Sequence, residues 1–512
     1  MMRNSGRIAE NTILLYMRTL LVLVVSLFTS RIVLNQLGVN DYGIYNVVGG
    51  IVAMFSLLSG SLSSAISRFI TFELGKGNND NLKGVFRTSV TIQAGMSVIV
   101  FILLESIGVW FLNEKMNIAS NRIYAANWVL QCSILTFIMG LISVPYNAVI
   151  IAHEHMSAFA YISIVETLLK LGIVYLLSVS LADKLISYAI LLAIVSIIVR
   201  LIYGIYCNIY FEECRKFKFG YDFSFLKQMG SFAGWNFLGA GSYLLMTQGV
   251  NILMNLFFNV SVNAARGIAT QVDNAVMGFV TSFTTAINPQ ITKSYASGDK
   301  GYMFQLICYG AKYSFFLVLI FAVPILFETE NILKLWLKIV PGLSADFLRM
   351  TLSISLFSVL SNTLVTSMLA TGDIKKYQIV VGGTGMLVFP LVYVCYKLGM
   401  PAITSYFIQF GIFVVQLCYR LILLRRMIGL SISFFALNVL LRVTGVSIVS
   451  VSGAWLISQV LPDMTGELIP ILTVCLSSAV VTLSSIYVIG LVKSERTFVN
   501  EKVKHLFLKI KK

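Results

Sequence analysis

Seven ionisable side chains break into stretches that are otherwise apolar, and they define what chemistry this chain can do. Arg18 and Arg31 lie in the first apolar run, Arg68 near the end of the second and Arg266 at the start of the eighth. Glu166 and Lys170 share the middle of the fifth run, and Asp273 lies two turns into the eighth. A guanidinium binds two oxygens of one phosphate at once and stays charged, so these arginines suit an anionic, phosphorylated ligand. The plainer reading is that the long basic side chains snorkel to a membrane edge. Thirteen residues separate Arg18 from Arg31. At about 100° per residue they do not share a helix face, so one can line a cavity while the other packs.

Among the acids, Glu166 and Lys170 at i,i+4 face each other, either as a neutralised pair or with Glu166 titrating in ion coupling. Asp273 follows Arg266 by seven residues, on nearly the same face, and is the second candidate for coupling. Glu105 sits toward the outer end of the third run. Gln248, Asn251 and Asn255 form a polar stripe on the seventh run, as cavity lining or inter-helix glue. His153 and His155 fall in a loop and read as solvated. The seven cysteines show no metal spacing and mostly lie inside apolar runs, as small core residues. Nothing in the sequence calls for a cofactor or a metal.

These groups have to be positioned by membrane helices. The 512 residues are 57% hydrophobic and 12% charged, with mean hydropathy +0.85. No soluble core hides that much apolar surface. The opening MMRNSGRIAEN is short and polar, and the first apolar run is too long for a leader peptide. A span needs about 20 apolar residues, and on that measure fourteen are expected: 12–35, 43–72, 85–113, 122–151, 157–180, 185–210, 228–258, 265–291, 304–327, 344–370, 377–397, 402–424, 437–461 and 468–492. The net charge of +16 does not mark a nucleic-acid binder, because the basic residues are dispersed over short loops. With a cytoplasmic N-terminus, inner loops and tails hold 21 Lys/Arg and outer loops six, which fixes the expected orientation with both termini cytoplasmic. The tail SERTFVNEKVKHLFLKIKK is basic and amphipathic and is expected on the anionic inner leaflet.

The chain also repeats itself. At an offset of 221, SLSSAISRFITFELGKG (61–77) lies on SFTTAINPQITKSYASG (282–298), with six of seventeen positions identical. Arg200-Leu201-Ile202 matches Arg420-Leu421-Ile422 at offset 220, and Ala152 matches Ala370 at 218. The expected organisation is therefore a six-helix bundle over 1–220, its copy over 221–426, two extra helices within 427–492 and a tail over 493–512. Six is even, so the copies share one orientation, as in parallel-repeat transporters. Pro289 replaces Arg68 in the second copy, where a helix kink is expected.

The segment Leu37-Gly38-x-x-x-Tyr42-Gly43-x-Tyr45, followed by Gly60, Ala65, Arg68 and the loop glycines, resembles the N-terminal signature of polysaccharide exporters and O-antigen flippases of the multidrug/oligosaccharidyl-lipid/polysaccharide (MOP) exporter superfamily. Span count and duplication are similar too, so the resemblance covers nearly the whole chain. It implies an all-α polytopic membrane protein, two bundles in a MATE-like V around a cavity lined by spans 1, 2, 7 and 8. It further implies alternating-access export of an undecaprenyl-pyrophosphate-linked oligosaccharide, an O-antigen or capsule repeat unit, across the bacterial inner membrane. Partners would be that lipid-linked substrate, membrane lipids, and the glycan polymerase and glycosyltransferases of the same pathway. The main rival is a multidrug antiporter of the same superfamily. That role wants carboxylates in spans 1 and 7, where residues 12–35 offer two arginines and 228–258 only amides. A membrane-embedded glycan polymerase or glycosyltransferase wants a large extramembrane loop with paired carboxylates, and the longest outer loop, about 328–343, is short.

Overall fold

A computed structural model describes residues 2–53, 55–114, 118–179, 182–215, 219–258, 260–337, 340–460, 468–493, 495–497 and 500–501. Described in chain order, it is helical nearly throughout, with no strand among the described residues. In a bilayer each backbone polar group must be satisfied within its own segment, and the helix does this. The helices are α1 (Met2–Ala53), α2 (Ser56–Lys76), α3 (Asn79–Glu114), α4 (Ser120–Ala152), α5 (Met156–Val179) and α6 (Lys184–Tyr210). Next comes α7, built from Phe223–Leu244, Leu245–Gly249 and Val250–Phe257, and then α8 (Val260–Ala296) and α9 (Lys300–Phe327). The last are α10 (Ser344–Thr371), α11 (Lys375–Lys397), α12 (Thr404–Ile428), α13 (Ile432–Gln459) and α14 (Ile469–Gly490).

Ten of these, α3–α6 and α9–α14, are long and apolar enough among the described residues to cross a membrane. The other four, α1, α2, α7 and α8, are the helices nearest the expected spans 1, 2, 7 and 8. Their sequences show why at least two differ. Six serines and Arg68 lie along α2, and α8 carries Arg266, Thr270, Gln271, Asp273 and Asn274 within three turns. Hydroxyls inside the helices are met by back-bonding to their own turn, as in Ser89 Oγ to Val85 O (2.7 Å) and Ser97 Oγ to Gln93 O (2.8 Å).

The expected hairpin near the N-terminus is present, with its corner at Gly38. Its φ of 77° and ψ of 168° are open to glycine and strained for other residues. Leu15 packs with Met156 and Ala286 at one end, while Gln36 bonds Ser178 and Lys184 at the other. The chain returns through 39–53 and α2, whose far end reaches Lys293 beside the first end again. At the Gly38 end, Arg122 bridges Asp41 and Asp183, and Asp183 also caps α6 by accepting from the amides of Leu185 (3.0 Å) and Ile186 (3.1 Å).

By contacts the chain divides into two compact units. Unit 1 comprises Met1–Gly241, Thr285–Asp299 and Leu369–Gln378; unit 2 comprises Ser242–Thr284, Lys300–Met368 and Ile379–Lys512. The core of unit 1 joins α1, α3, α4 and α6 through Val48, Val52, Leu104, Val129, Leu130 and Leu185. Alanines 125, 126, 189 and 193 in the same cluster let the helix backbones approach closely. In unit 2 the centre is α9, 72% of whose most apolar window is buried inside the protein, against α10, α13 and α14. The two helices outside the duplication thus wrap one member of the second copy. Gly490 permits this contact, since a Cβ there would lie 2.6 Å from the Phe316 ring.

Unit 2 also contains one-turn widenings of the helix, which strand carbonyl groups. Side chains meet them. In α7 the Thr247 carbonyl accepts from Arg266 Nη2 (3.3 Å) and the Met246 carbonyl from Gln409 Nε2 (3.0 Å). In α11 the Val381 carbonyl accepts from Gln416 Nε2 (2.9 Å) and the Gly382 carbonyl from Ser242 Oγ (2.6 Å).

The repeat is legible in backbone conformation. Gly77 and Gly298, aligned by the 221-residue offset, both end their helices in the left-handed region, at φ 70° and 80°. The helical run of α8 continues through Pro289 to Ala296. The basic tail beyond residue 501 lies outside the described residues.

Candidate functional site

Unit 2 holds a polar cavity of about 440 Å³ lined by Asn251, Arg266, Gly267, Thr270, Gln271 and Asn274. Helical spacing explains it: 267, 270, 271 and 274 form one stripe of α8 at i, i+3, i+4 and i+7. Thr270, Gln271 and Asn274 are exposed on it, whereas Arg266 is 8% exposed. The Arg266 side chain turns back toward α7, with Nη2 on the Thr247 carbonyl and Nη1 3.7 Å from Met254 Sδ. Its guanidinium also lies 5.4 Å from the Tyr406 ring centroid. Asn251 donates to Gln248 Oε1 at 2.9 Å, so two members of the expected α7 stripe bond each other; the Asn255 side chain lies outside the described residues. Asp273 does not join Arg266. It accepts from Ser355 Oγ on α10 at 2.6 Å, while Arg266 reaches α7. One guanidinium and four amide or hydroxyl side chains, with no carboxylate among the described residues of the wall, can together hydrogen-bond hydroxyls and phosphate oxygens.

Unit 1 holds a second cavity of about 300 Å³, with Tyr45, Cys132, Thr136, Glu166, Lys170 and Ser196 in its wall. Glu166 and Lys170 pair at 2.6 Å, as their spacing predicts, with side chains 36% and 46% exposed. Arg18 stacks 4.7 Å from the centroid of Phe159 and lies within electrostatic reach of Glu166 and Tyr203. The Arg31 side chain lies outside the described residues, although its backbone belongs to α1.

Arg68 occupies a third place, also in unit 1. Its Nη2 and Nε donate to the Ala370 carbonyl at 2.9 and 3.3 Å, and its guanidinium lies over the Phe72 and Phe69 rings at 4.3 and 4.6 Å. Beside it, the end of α2 touches the end of α8. A Cβ on Gly75 would meet Lys293 Cα and Ala296 Cβ at 2.9 Å, so only glycine fits. Arg18 and Arg68 have separate surroundings within unit 1, and Arg266 belongs to unit 2.

The reading of His153 and His155 as solvated is corrected. His153 Nε2 lies 2.7 Å from Glu213 Oε1 and its ring stacks 4.4 Å from Phe211, while His155 Nδ1 lies 3.0 Å from the Tyr206 hydroxyl. Between them Glu154 is buried at φ 61°, a left-handed conformation that costs a non-glycine residue. Its carboxylate accepts from Gln290 Nε2 (2.6 Å) and from Lys293 Nζ. The sequence held one unused signal. Glu154 and Gly372 are 218 residues apart, the offset that relates Ala152 to Ala370, and Gly372 has φ 80°. The turn is copied, with a carboxylate in one copy and a glycine in the other.

No family model matches the sequence, and no curated protein matches it. Solved structures do. A MATE in the bent conformation is similar with TM-score 0.71 at 11% identity, over 83% of this chain and 96% of that one. A MOP superfamily transporter from Pyrococcus furiosus, described as having a binding pocket of reverse polarity, gives TM-score 0.67 at 11% identity over 80% and 94%. An outward-facing multidrug resistance MATE family transporter of the MOP superfamily gives 0.66 at 12% over 80% and 93%. Almost the whole length of each is matched at identities that speak for architecture alone. This chain has the helical fold of the MOP superfamily transporters.

Proposed function

We propose that this chain is a membrane transporter that flips a polyprenyl-pyrophosphate-linked oligosaccharide, such as an O-antigen or capsule repeat unit, from the cytoplasmic to the periplasmic leaflet by alternating access. The observation that carries the reading is the unit 2 cavity, which pairs a guanidinium with amides and a hydroxyl and has no carboxylate among the described residues of its wall. A glycan asks for dense neutral hydrogen-bonding groups, and a pyrophosphate asks for fixed positive charge. An organic cation asks for the opposite sign. Arg18, Arg31, Arg68 and Arg266 are the substrate-side cations of this reading, with Glu166, Lys170 and Asp273 as its coupling groups. The Lys/Arg asymmetry supports inner-membrane placement with both termini cytoplasmic.

The multidrug reading fits the fold equally, and Asp273, a carboxylate on α8 held by Ser355, favours it. A deletion strain separates the two. Flipping predicts accumulation of lipid-linked oligosaccharide and loss of surface glycan, rescued by the wild-type gene and not by Arg266→Ala at equal membrane abundance. Unchanged surface glycan together with sensitivity to cationic drugs would establish efflux instead.

A further inference from the structure

We propose that Arg68 and the turn 370–372 form an anion-released latch, in which a pyrophosphate takes the guanidinium from the Ala370 carbonyl and so frees the turn. This rests on the flipping reading above and says how substrate arrival is coupled to movement of the chain. Three observations place the latch. Among the candidate cations whose side chains are described, Arg68 alone has hydrogen bonds that run from the first copy of the repeat to the second, from α2 to the end of α10. The turn is shaped for it: Gly372 has φ 80°, and a Cβ there would lie 2.7 Å from Arg68 Nη2, so the missing side chain is the space the guanidinium fills. The acceptor is a neutral carbonyl; Glu73, further along α2, lies within electrostatic reach of the guanidinium but accepts its hydrogen bond from Asn81 at 3.3 Å.

The copy of this contact shows what a permanent tie looks like. There the partners are exchanged between repeats: α8 of the second copy supplies Lys293 and Gln290, and the turn of the first copy supplies Glu154. A lysine already neutralised by a carboxylate has little to offer an incoming anion. A guanidinium on a carbonyl keeps its net charge and gains from exchanging that carbonyl for phosphate oxygens, since bonds between ionised partners are roughly twice as strong. The two pseudo-equivalent turns therefore respond differently to the same ligand: 370–372 lets go, and 153–155 holds.

Amide hydrogen exchange on the full-length protein in nanodiscs tests this, with farnesyl pyrophosphate as probe and farnesol as the phosphate-free control. The expected result is about tenfold faster exchange over 369–378 with the pyrophosphate and no change with farnesol or over 150–158. Arg68→Ala should give the fast exchange without any ligand and be insensitive to the probe. Farnesyl pyrophosphate that raises the melting temperature while leaving 369–378 exchange unchanged would overturn the latch and leave the flipping reading intact. A probe response that survives in Arg68→Ala also overturns it. No stabilisation by the pyrophosphate in any variant would remove both the latch and the phosphate-binding reading beneath it.

Discussion

Two Lys–Glu pairs show how the same chemistry serves two ends. Lys312 on α9 donates to both oxygens of Glu495, at 2.7 and 2.8 Å, with side chains 3% and 8% exposed. The Tyr309 and Tyr313 rings stand 5.6 and 5.3 Å away, and Glu495 also accepts from the Val492 amide at 2.8 Å. Every oxygen and the ammonium are thus occupied, and the segment after α14 is tied to the centre of unit 2. Glu166 and Lys170 instead form a single bond, half in the open, on the wall of a cavity. A sealed, fully partnered pair holds structure; a loosely held pair beside open space is free to exchange partners or a proton. Charge in an apolar helix is therefore not by itself a mark of function. The number of its partners and the access to it are.

That contrast can be broken from either side. The largest effect is expected from Lys312→Met, which strands the Glu495 carboxylate in a closed site and should destabilise by about 3–5 kcal/mol. Thermal unfolding in detergent reads this, and adding Glu495→Leu should recover most of the loss. Glu154→Gln comes next. It keeps a bond to one of Gln290 or Lys293 but removes the charge opposite Lys293, for about 1–3 kcal/mol, measured as faster exchange over 150–158. Glu166→Gln should cost under about 1 kcal/mol, since exposed i,i+4 pairs contribute little. If the pair works in coupling, the same variant abolishes the pH or ion dependence of transport in vesicles while the melting temperature stays put. Unchanged dependence would return it to the structural class.

The smallest effect concerns the turn at Asp183. Burial alone would raise its carboxyl, but the Arg122 guanidinium and the Leu185 and Ile186 amides outweigh this and hold it below the usual carboxylate range. A depressed carboxyl contributes its full stabilisation above the unfolded value near pH 4 and loses it as pH falls through the folded value. Acid should therefore loosen the Arg122 bridge, and Asp183→Asn should flatten that part of the stability profile by lowering stability slightly at neutral pH while leaving the acid end nearly unchanged.

Much of the architecture was legible because apolar runs of membrane length and a 221-residue offset are properties of the linear chain. The Gly38 corner, the paired glycines 77 and 298 and the Glu166–Lys170 pair depend on neighbours within a few residues, which sequence spacing encodes. Arg266 was legible as a cation at the start of an apolar run, but not its burial or its double duty on the cavity edge and on a carbonyl freed by a widened turn. His153 was misread because a loop position says nothing about the Glu213 and Phe211 that come to it from 60 residues away.

By itself the sequence determined helical membrane class, an internal repeat and a surplus of cations over carboxylates in the apolar runs 12–35 and 43–72. Those follow from composition and period. Only the tertiary structure decided which charges are spent on other parts of the chain and which face open space. Partners such as Lys312 and Glu495, or Arg68 and Ala370, meet across 183 and 302 residues. Packing chooses those pairs, and no local pattern carries the information.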